Sequence, residues 1–450
     1  MRRTAVIDVV GLSSALIGEH TPFLSNYLEK ARLSRIRPML PAVTTSVQST
    51  YLTGLWPAAH GIVGNGWYDR VDSEIKFWKQ SNKLVQGESI WDTAKRMDPK
   101  FTCAQLCWWY NMYSNADYSV TPRPNYLADG RKIPDCYSHP ASLRDELQAT
   151  FGRFPLFNFW GPGANIASSE WIANAAMHVE EKYQPTLNLV YLPHLDYCQQ
   201  QLGPHPDRIG KELREIDTLL KTLVHFFESR DIRVIILSEY GIVPVSRPIH
   251  INRLLRRAGL LTVRVERGLE LLDAGASDAF AVADHQIAHI YTKNPAINER
   301  VKELLIDEPG IDLLLDDGGK AKHHLGHERA GDLVAVAKPD SWFTYYFWLD
   351  DRLAPDYARV VDIHKKPGYD PVELFLSSKL RAGYKLLRKK MGFRYVMDVI
   401  PLDATLVSGS HGAVHIPAAY YPVLITKDKP MADELAPTTI RDVILASLTA

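Results

Sequence analysis

The chain has 450 residues, of which 46% are hydrophobic and 23% charged, and its 52 Lys+Arg cancel its 52 Asp+Glu. This composition supplies a large core, and the zero net charge gives no electrostatic reason to expect a nucleic-acid polymer or a membrane as partner. No run approaches the ~20 apolar residues of a membrane span, and four scattered cysteines, Cys103, Cys107, Cys136 and Cys198, make no disulfide framework. They read as reduced packing residues, which points to the cytoplasm.

At the start, "TAVIDVV" reads as a strand, because Asp8 interrupts the apolar run that a signal peptide needs. "TPFLSNYLEKA" follows as an amphipathic helix with Thr and Pro at its start. "SIWDTAKRM" is predicted helical, "FTCAQLCWW" a strand, "SEWIANAAMHVEEKY" a helix and "LNLVYL" a strand. "GKELREIDTLLKTLVHFFESR" is a long amphipathic helix leading into the strand "RVIILS", and "AAYYPVLIT" with "TIRDVILASLT" closes the chain as strand and helix. The alternation predicts an α/β fold, a central, mostly parallel sheet flanked by helices on both faces. Two stretches break it. Residues 109–165 are rich in Tyr, Asn, Pro and Gly, and 260–400 mix short strands with the aromatic cluster "SWFTYYFW". Both read as insertions shaping a cap or pocket on a core of residues 1–108, 166–259 and 401–450. Basic runs such as "RLLRR" and "KLLRKK" read as solvated helix faces.

In a parallel sheet, ligands gather at the carboxyl ends of strands. Asp8, Asp196 in "NLVYLPHLDY" and Glu239 in "RVIILSEYG" all end or follow strands, and "SGSHG" presents His411 between Ser410 and Gly412. A lone acid there is commonly a helix cap. Three acids converging on one edge repel one another and call for cations, so the joint pattern points to a metal site of one or two ions. "PAVTTSVQSTYLTGLWPAAHGIVGN", residues 41–65, sets hydroxyls directly after Pro41 at a predicted helix start, where free N–H groups and the helix dipole favour an anion such as phosphate. A metal-bound hydroxyl in that place is a nucleophile at neutral pH.

These residues resemble the alkaline phosphatase superfamily, in its nucleotide pyrophosphatase/phosphodiesterase branch. The resemblance rests on residues 41–65, on "DYCQQQLGP", on "SEYG" and on the late His411–Gly412, and it covers about 1–110, 165–250 and 400–450. It implies that Thr44 is the nucleophile, forming a covalent phospho-threonine, and that Asn65 contacts the phosphate. It implies one metal held by Asp196, Gln200 and His411 and another by Asp8, Thr44, Glu239 and Tyr240. Gln200 and Tyr240 stand where the family has ligating histidines, and Glu239 stands for Asp. Oxygen donors favour Mg²⁺ or Mn²⁺ over Zn²⁺. His327 and His415 are candidates to replace the missing nitrogens.

The function expected is metal-dependent hydrolysis of a small-molecule phosphoester: a diester, a pyrophosphate or a monoester. The alternatives are phosphonate or sulfate-ester hydrolysis, and binding of a phosphorylated ligand without turnover. Trp108, Trp109, Tyr110 and Tyr113 are expected either to stack on a planar leaving group or to pack the insertion on the core.

Overall fold

β-branched runs alternating with amphipathic helices produce a nine-stranded sheet in the computed structural model, which describes residues 1–449 except Gly130, Arg394 and 429–431. From one edge its order is Glu434–Leu435, Arg32–Ile36, Val423–Thr426, Arg233–Leu237, Thr4–Val9, Leu187–Leu192, Cys103–Leu106, Tyr118–Pro122 and Cys136–His139. Five of its eight pairings are parallel, including every pairing between Arg233–Leu237 and Tyr118–Pro122. The antiparallel pairs lie toward the two edges. The expected α/β architecture is therefore present, as a mixed sheet with a parallel centre.

Thr4–Val9 and Leu187–Leu192 are buried along their whole length, as strands covered on both faces must be. One group of helices packs Ala167–Tyr183 against Gly210–Glu228, and another joins Thr44–Thr53 to Ile440–Thr449. In Gly210–Glu228 the buried stripe is Leu213, Ile216, Leu220, Leu223, Val224 and Phe227. Each such side chain contributes about 1.5–3 kcal/mol of transfer free energy, which is why this helix docks despite its many charges.

Residues 109–165 extend the sheet through Tyr118–Pro122 and Cys136–His139. Residues 260–400 build a second, four-stranded antiparallel sheet in the order Ala279–Asp284, Ile287–Thr292, Leu333–Ala337, Ile311–Leu315. The hairpin between its first two strands turns through His285 and Gln286. That tip bonds to the late loop, Gln286 N–H donating to His411 O at 2.9 Å. All four cysteines are buried free thiols, as the composition suggested.

Candidate active site

Register places the acids. Asp8 lies level with Tyr191 and Leu237 of its neighbouring strands, so Glu239 follows two residues beyond that level and Asp196 five. The carboxyl edge of the sheet thus presents all three. Gly241 fixes the turn after Glu239: a Cβ there would lie 1.5 Å from the Tyr420 carbonyl oxygen, so only glycine lets the chain pass.

Thr44 is the first residue of the helix Thr44–Thr53, every residue of which is buried. The Thr44 side chain reaches the floor of a cavity of about 2160 Å³, together with Asp196, Tyr240 and His285. Its neighbour Thr45 turns away, donating N–H to Asn65 Oδ1 at 3.1 Å and its hydroxyl to Gly64 O at 2.8 Å. Thr44 Oγ1 instead lies 3.1 Å from the Tyr240 hydroxyl.

One turn on, Gln48 accepts the Trp109 N–H at 2.6 Å on its carbonyl. Its amide therefore points the other way and donates to Glu239 Oε1. Glu239 lies beside Asp8. Both Asp8 oxygens and Glu239 Oε2 are buried without a hydrogen-bond partner. Burial raises the Asp8 pKa to about 7, and burial together with Asp8 holds Glu239 well above the usual carboxylate range. Without a counter-charge, two such carboxyls do not both ionise.

The other side of the floor has a different character. Asp196 Oδ2 accepts from Gln200 Nε2 at 3.0 Å, and the Tyr369 hydroxyl donates to Gln200 Oε1 at 2.8 Å. Gln200 thus reaches the site, but both ends of its amide are engaged in orienting Asp196. His411 donates Nδ1–H to Ala42 O at 2.7 Å. Its Nε2 has no partner and lies 3.8 Å from Asp196 Oδ1, which also has none. Burial raises the Asp196 pKa to about 7 and keeps His411 neutral. Tyr240 stacks flat on His411 with ring centres 3.6 Å apart, joining the two sides.

His285 completes this wall, and the sequence reading missed it. It has φ +59°, a left-handed conformation costly for a residue with Cβ and frequent where function holds it. Its ring lies 3.6 Å from Tyr369 and 3.8 Å from His411. Asp284 Oδ1 takes its Nδ1–H at 2.8 Å, leaving a buried, unpartnered Nε2. Desolvation keeps the ring neutral. Asp284 also receives the Asn65 backbone N–H at 2.8 Å and the Asn65 side-chain amide at 3.1 Å. Asn65 is thus a tethered residue with one amide hydrogen left to offer.

Of the insertion aromatics, Trp109 lines the cavity, Trp108 and Tyr110 are buried as packing and Tyr113 is exposed. His327 bonds to Gln86 at 3.3 Å and His415 to Asp312 at 2.6 Å. These partners lie outside both the Asp8–Glu239 and the Asp196–His411 pairs, so neither histidine stands where a ligand nitrogen is missing.

Among the described residues no three His, Cys, Asp or Glu side chains gather into a set that could hold a metal. The donors come as two pairs, Asp8 with Glu239 and Asp196 with His411. Each pair carries buried polar atoms without partners, a costly arrangement unless a cation answers it. With Thr44 and Tyr240 beside the first pair and His285 beside the second, the chemistry of the floor fits divalent cations.

Residues 4–370 match the family described as type I phosphodiesterase/nucleotide pyrophosphatase. An uncharacterized pyrophosphatase/phosphodiesterase of Schizosaccharomyces pombe is 26% identical over 245 residues, 52% of this chain and 41% of that protein. An ectonucleotide pyrophosphatase/phosphodiesterase of Caenorhabditis elegans is 21% identical over 320 residues, 69% of this chain and 35% of that protein. The chain thus spans well under two thirds of the length of these relatives. Among solved structures, phosphonoacetate hydrolase from Sinorhizobium meliloti bound to phosphonoacetate superposes with a TM-score of 0.63 at 15% identity, over 100% of this chain and 95% of that one. An inactive murine ectonucleotide pyrophosphatase/phosphodiesterase 5 bound to AMP gives 0.61 at 14%, over the same shares. At these identities the likeness is one of fold.

Proposed function

This chain belongs to the type I phosphodiesterase/nucleotide pyrophosphatase family, and from that footing we propose that it hydrolyses phosphodiester or pyrophosphate bonds of small molecules with Thr44 as nucleophile. The observation that carries the reading is the place of Thr44: first in a fully buried helix, its side chain on the cavity floor, near the two buried carboxyls Asp8 and Glu239 that crowd each other.

In the proposed reaction the Tyr240 phenol, kept protonated by burial, donates to Thr44 Oγ1 and aims its lone pair into the cavity. Glu239, held by Gln48, is the base beside Thr44. The Thr44 oxygen bonds to phosphorus and the ester oxygen leaves with a proton. Water then cleaves the phospho-threonine and restores the hydroxyl. Helix N–H groups and the remaining Asn65 amide hydrogen face the phosphoryl oxygens. Asp8, Thr44, Glu239 and Tyr240 would hold one divalent cation, and Asp196 with His411 another, His285 standing beside that second pair. When bound, such ions lower the pKa of a hydroxyl and neutralise phosphoryl charge.

The cavity bears on the substrate. At about 2160 Å³, with Trp78, Trp109, Trp160 and Tyr197 on its walls, it exceeds the ~300–1,000 Å³ typical of small-ligand pockets. That favours an ester with a bulky group over a compact phosphonate. The test compares wild type and Thr44→Ala on a chromogenic phosphodiester, a dinucleoside pyrophosphate, a monoester and a phosphonate, across Mg²⁺, Mn²⁺ and Zn²⁺. Diester or pyrophosphate turnover is expected, supported by Mn²⁺ or Mg²⁺ at least as well as by Zn²⁺, and lost in Thr44→Ala. Turnover that survives Thr44→Ala removes the nucleophile. Binding without turnover by wild type selects the non-catalytic alternative.

A further inference from the structure

Residues 374–397 contain no acidic side chain, in a chain whose total charge is zero. Within them lies the helix Lys379–Lys390, capped by Ser378 Oγ accepting from the Arg381 N–H at 3.3 Å. It carries Lys379, Arg381, Lys385, Arg388, Lys389 and Lys390, and none of its residues is buried. One side, with Ala382, Lys385, Leu386 and Lys389, walls the large cavity. Arg381 and Lys385 pair with Asp398 and pin that side down.

The opposite stripe is apolar. Leu380 (87% exposed), Tyr384 (56%), Leu387 (54%) and Met391 (55%) recur at helical spacing. An amphipathic helix in a globular protein normally turns this stripe to the core. Here it faces solvent, where a patch of this kind marks an interaction surface.

Charge identifies the occupant. A second copy would bring two cationic helices together, and like charges across an interface oppose association. A nucleic acid would meet the cations but leave the apolar stripe unanswered. An anionic bilayer answers both, because phosphate groups lie level with the lysines and acyl chains just beneath. We propose that the helix Lys379–Lys390 docks this protein on anionic lipid membranes. Leu380, Tyr384, Leu387 and Met391 enter the headgroup boundary, with Lys379 and Lys390 on lipid phosphates. The expectation of no membrane partner came from net charge, which averages this segment away. Among the described residues no helix is long and apolar enough to cross a membrane, so the contact is one of surface docking.

The test is co-sedimentation of the full chain with vesicles of phosphatidylcholine alone and of phosphatidylcholine with an equal part of phosphatidylglycerol. Binding is expected to the mixed vesicles, at least about tenfold above phosphatidylcholine alone, and weakened by salt. Leu380→Asp with Leu387→Asp, and separately Lys379→Glu with Lys390→Glu, should each lower it about tenfold or more. Neither pair lines the cavity, and circular dichroism should show both variants folded. Three outcomes would overturn the proposal: no binding of wild type to either vesicle, unchanged binding of the Leu380→Asp/Leu387→Asp variant, or a concentration-dependent dimer that this variant abolishes while vesicles capture nothing.

Discussion

The two sides of the cavity floor differ in both origin and chemistry. Asp8, Thr44, Gln48, Glu239 and Tyr240 come from the first strand, the helix Thr44–Thr53 and the end of Arg233–Leu237, all inside the α/β core. They offer oxygen to a cation and no imidazole. The side around Asp196 draws on the core, on the late loop for His411 and on the 260–400 region for Asp284, His285 and Tyr369. It presents two neutral imidazole nitrogens, while Gln200 is occupied with Asp196 and Tyr369. The core therefore supplies every one of these groups around Thr44, with Trp109 of the 109–165 region holding Gln48 from outside, and a hairpin of the 260–400 region brings nitrogen to the other side.

If that division holds, the largest effects come from the nucleophile side. Thr44→Ala is expected to lower kcat about a thousandfold or more, the scale seen when a covalent nucleophile is removed, with the thermal midpoint nearly unchanged. Glu239→Gln should lower kcat about a hundredfold or more by removing a base and a negative charge together. If Thr44→Ala and Glu239→Gln affect KM alone, the two residues bind substrate and the assignment of chemistry to this side fails.

A middle-sized effect separates His285 from Gln200. His285→Ala should weaken binding of Co²⁺ about 10–100-fold and alter its visible absorption, as loss of a ligand or its support does. Gln200→Ala should change affinity less, because it only orients Asp196. The comparison breaks if Gln200→Ala changes the Co²⁺ spectrum and His285→Ala leaves it untouched.

Why one side was legible in sequence and the other only partly so follows from distance along the chain. Asp8, Thr44 and Glu239 stand where strand ends and a helix start announce themselves, and a parallel sheet brings strand ends together without further information. Gln48 carried a local signal that went unread: it lies four residues after Thr44, on the same helix face, in a helix rich in polar groups. Asp284 and His285 sit in "AVADHQIAHIY", where alternation reveals a hairpin but not what its tip touches. Only the packing of the 260–400 region decides that. His327 and His415 are candidates only because Gln200 and Tyr240 stand where ligating histidines are expected, and both are engaged in other contacts. The same limit applied to charge. Totals gave zero, and only the helix Lys379–Lys390 with its outward apolar stripe showed where cations concentrate.

The smallest expected effect tests whether the Asp196 side is held in wait for a cation. Burial raises the Asp196 pKa from 3.8 to about 7 in the folded chain, and in the unfolded chain it returns to the ordinary value. A carboxyl whose folded pKa lies above its unfolded one binds its proton more tightly when folded. Its favourable contribution is complete below the unfolded pKa and is lost as pH rises toward about 7. In cation-free buffer, Asp196→Asn removes this dependence, since an amide does not titrate. Its thermal midpoint relative to wild type should therefore climb between about pH 4 and 7 and level off above, by a few degrees at most in a chain of this size. Adding Mn²⁺ should reverse the order at pH 8, raising wild type and leaving Asp196→Asn behind, because the ion gains most from the ionised carboxylate. A difference between the two proteins that stays flat from pH 4 to 8, with and without Mn²⁺, would mean that Asp196 is satisfied within the protein, and the cation reading of this side of the floor would fall with it.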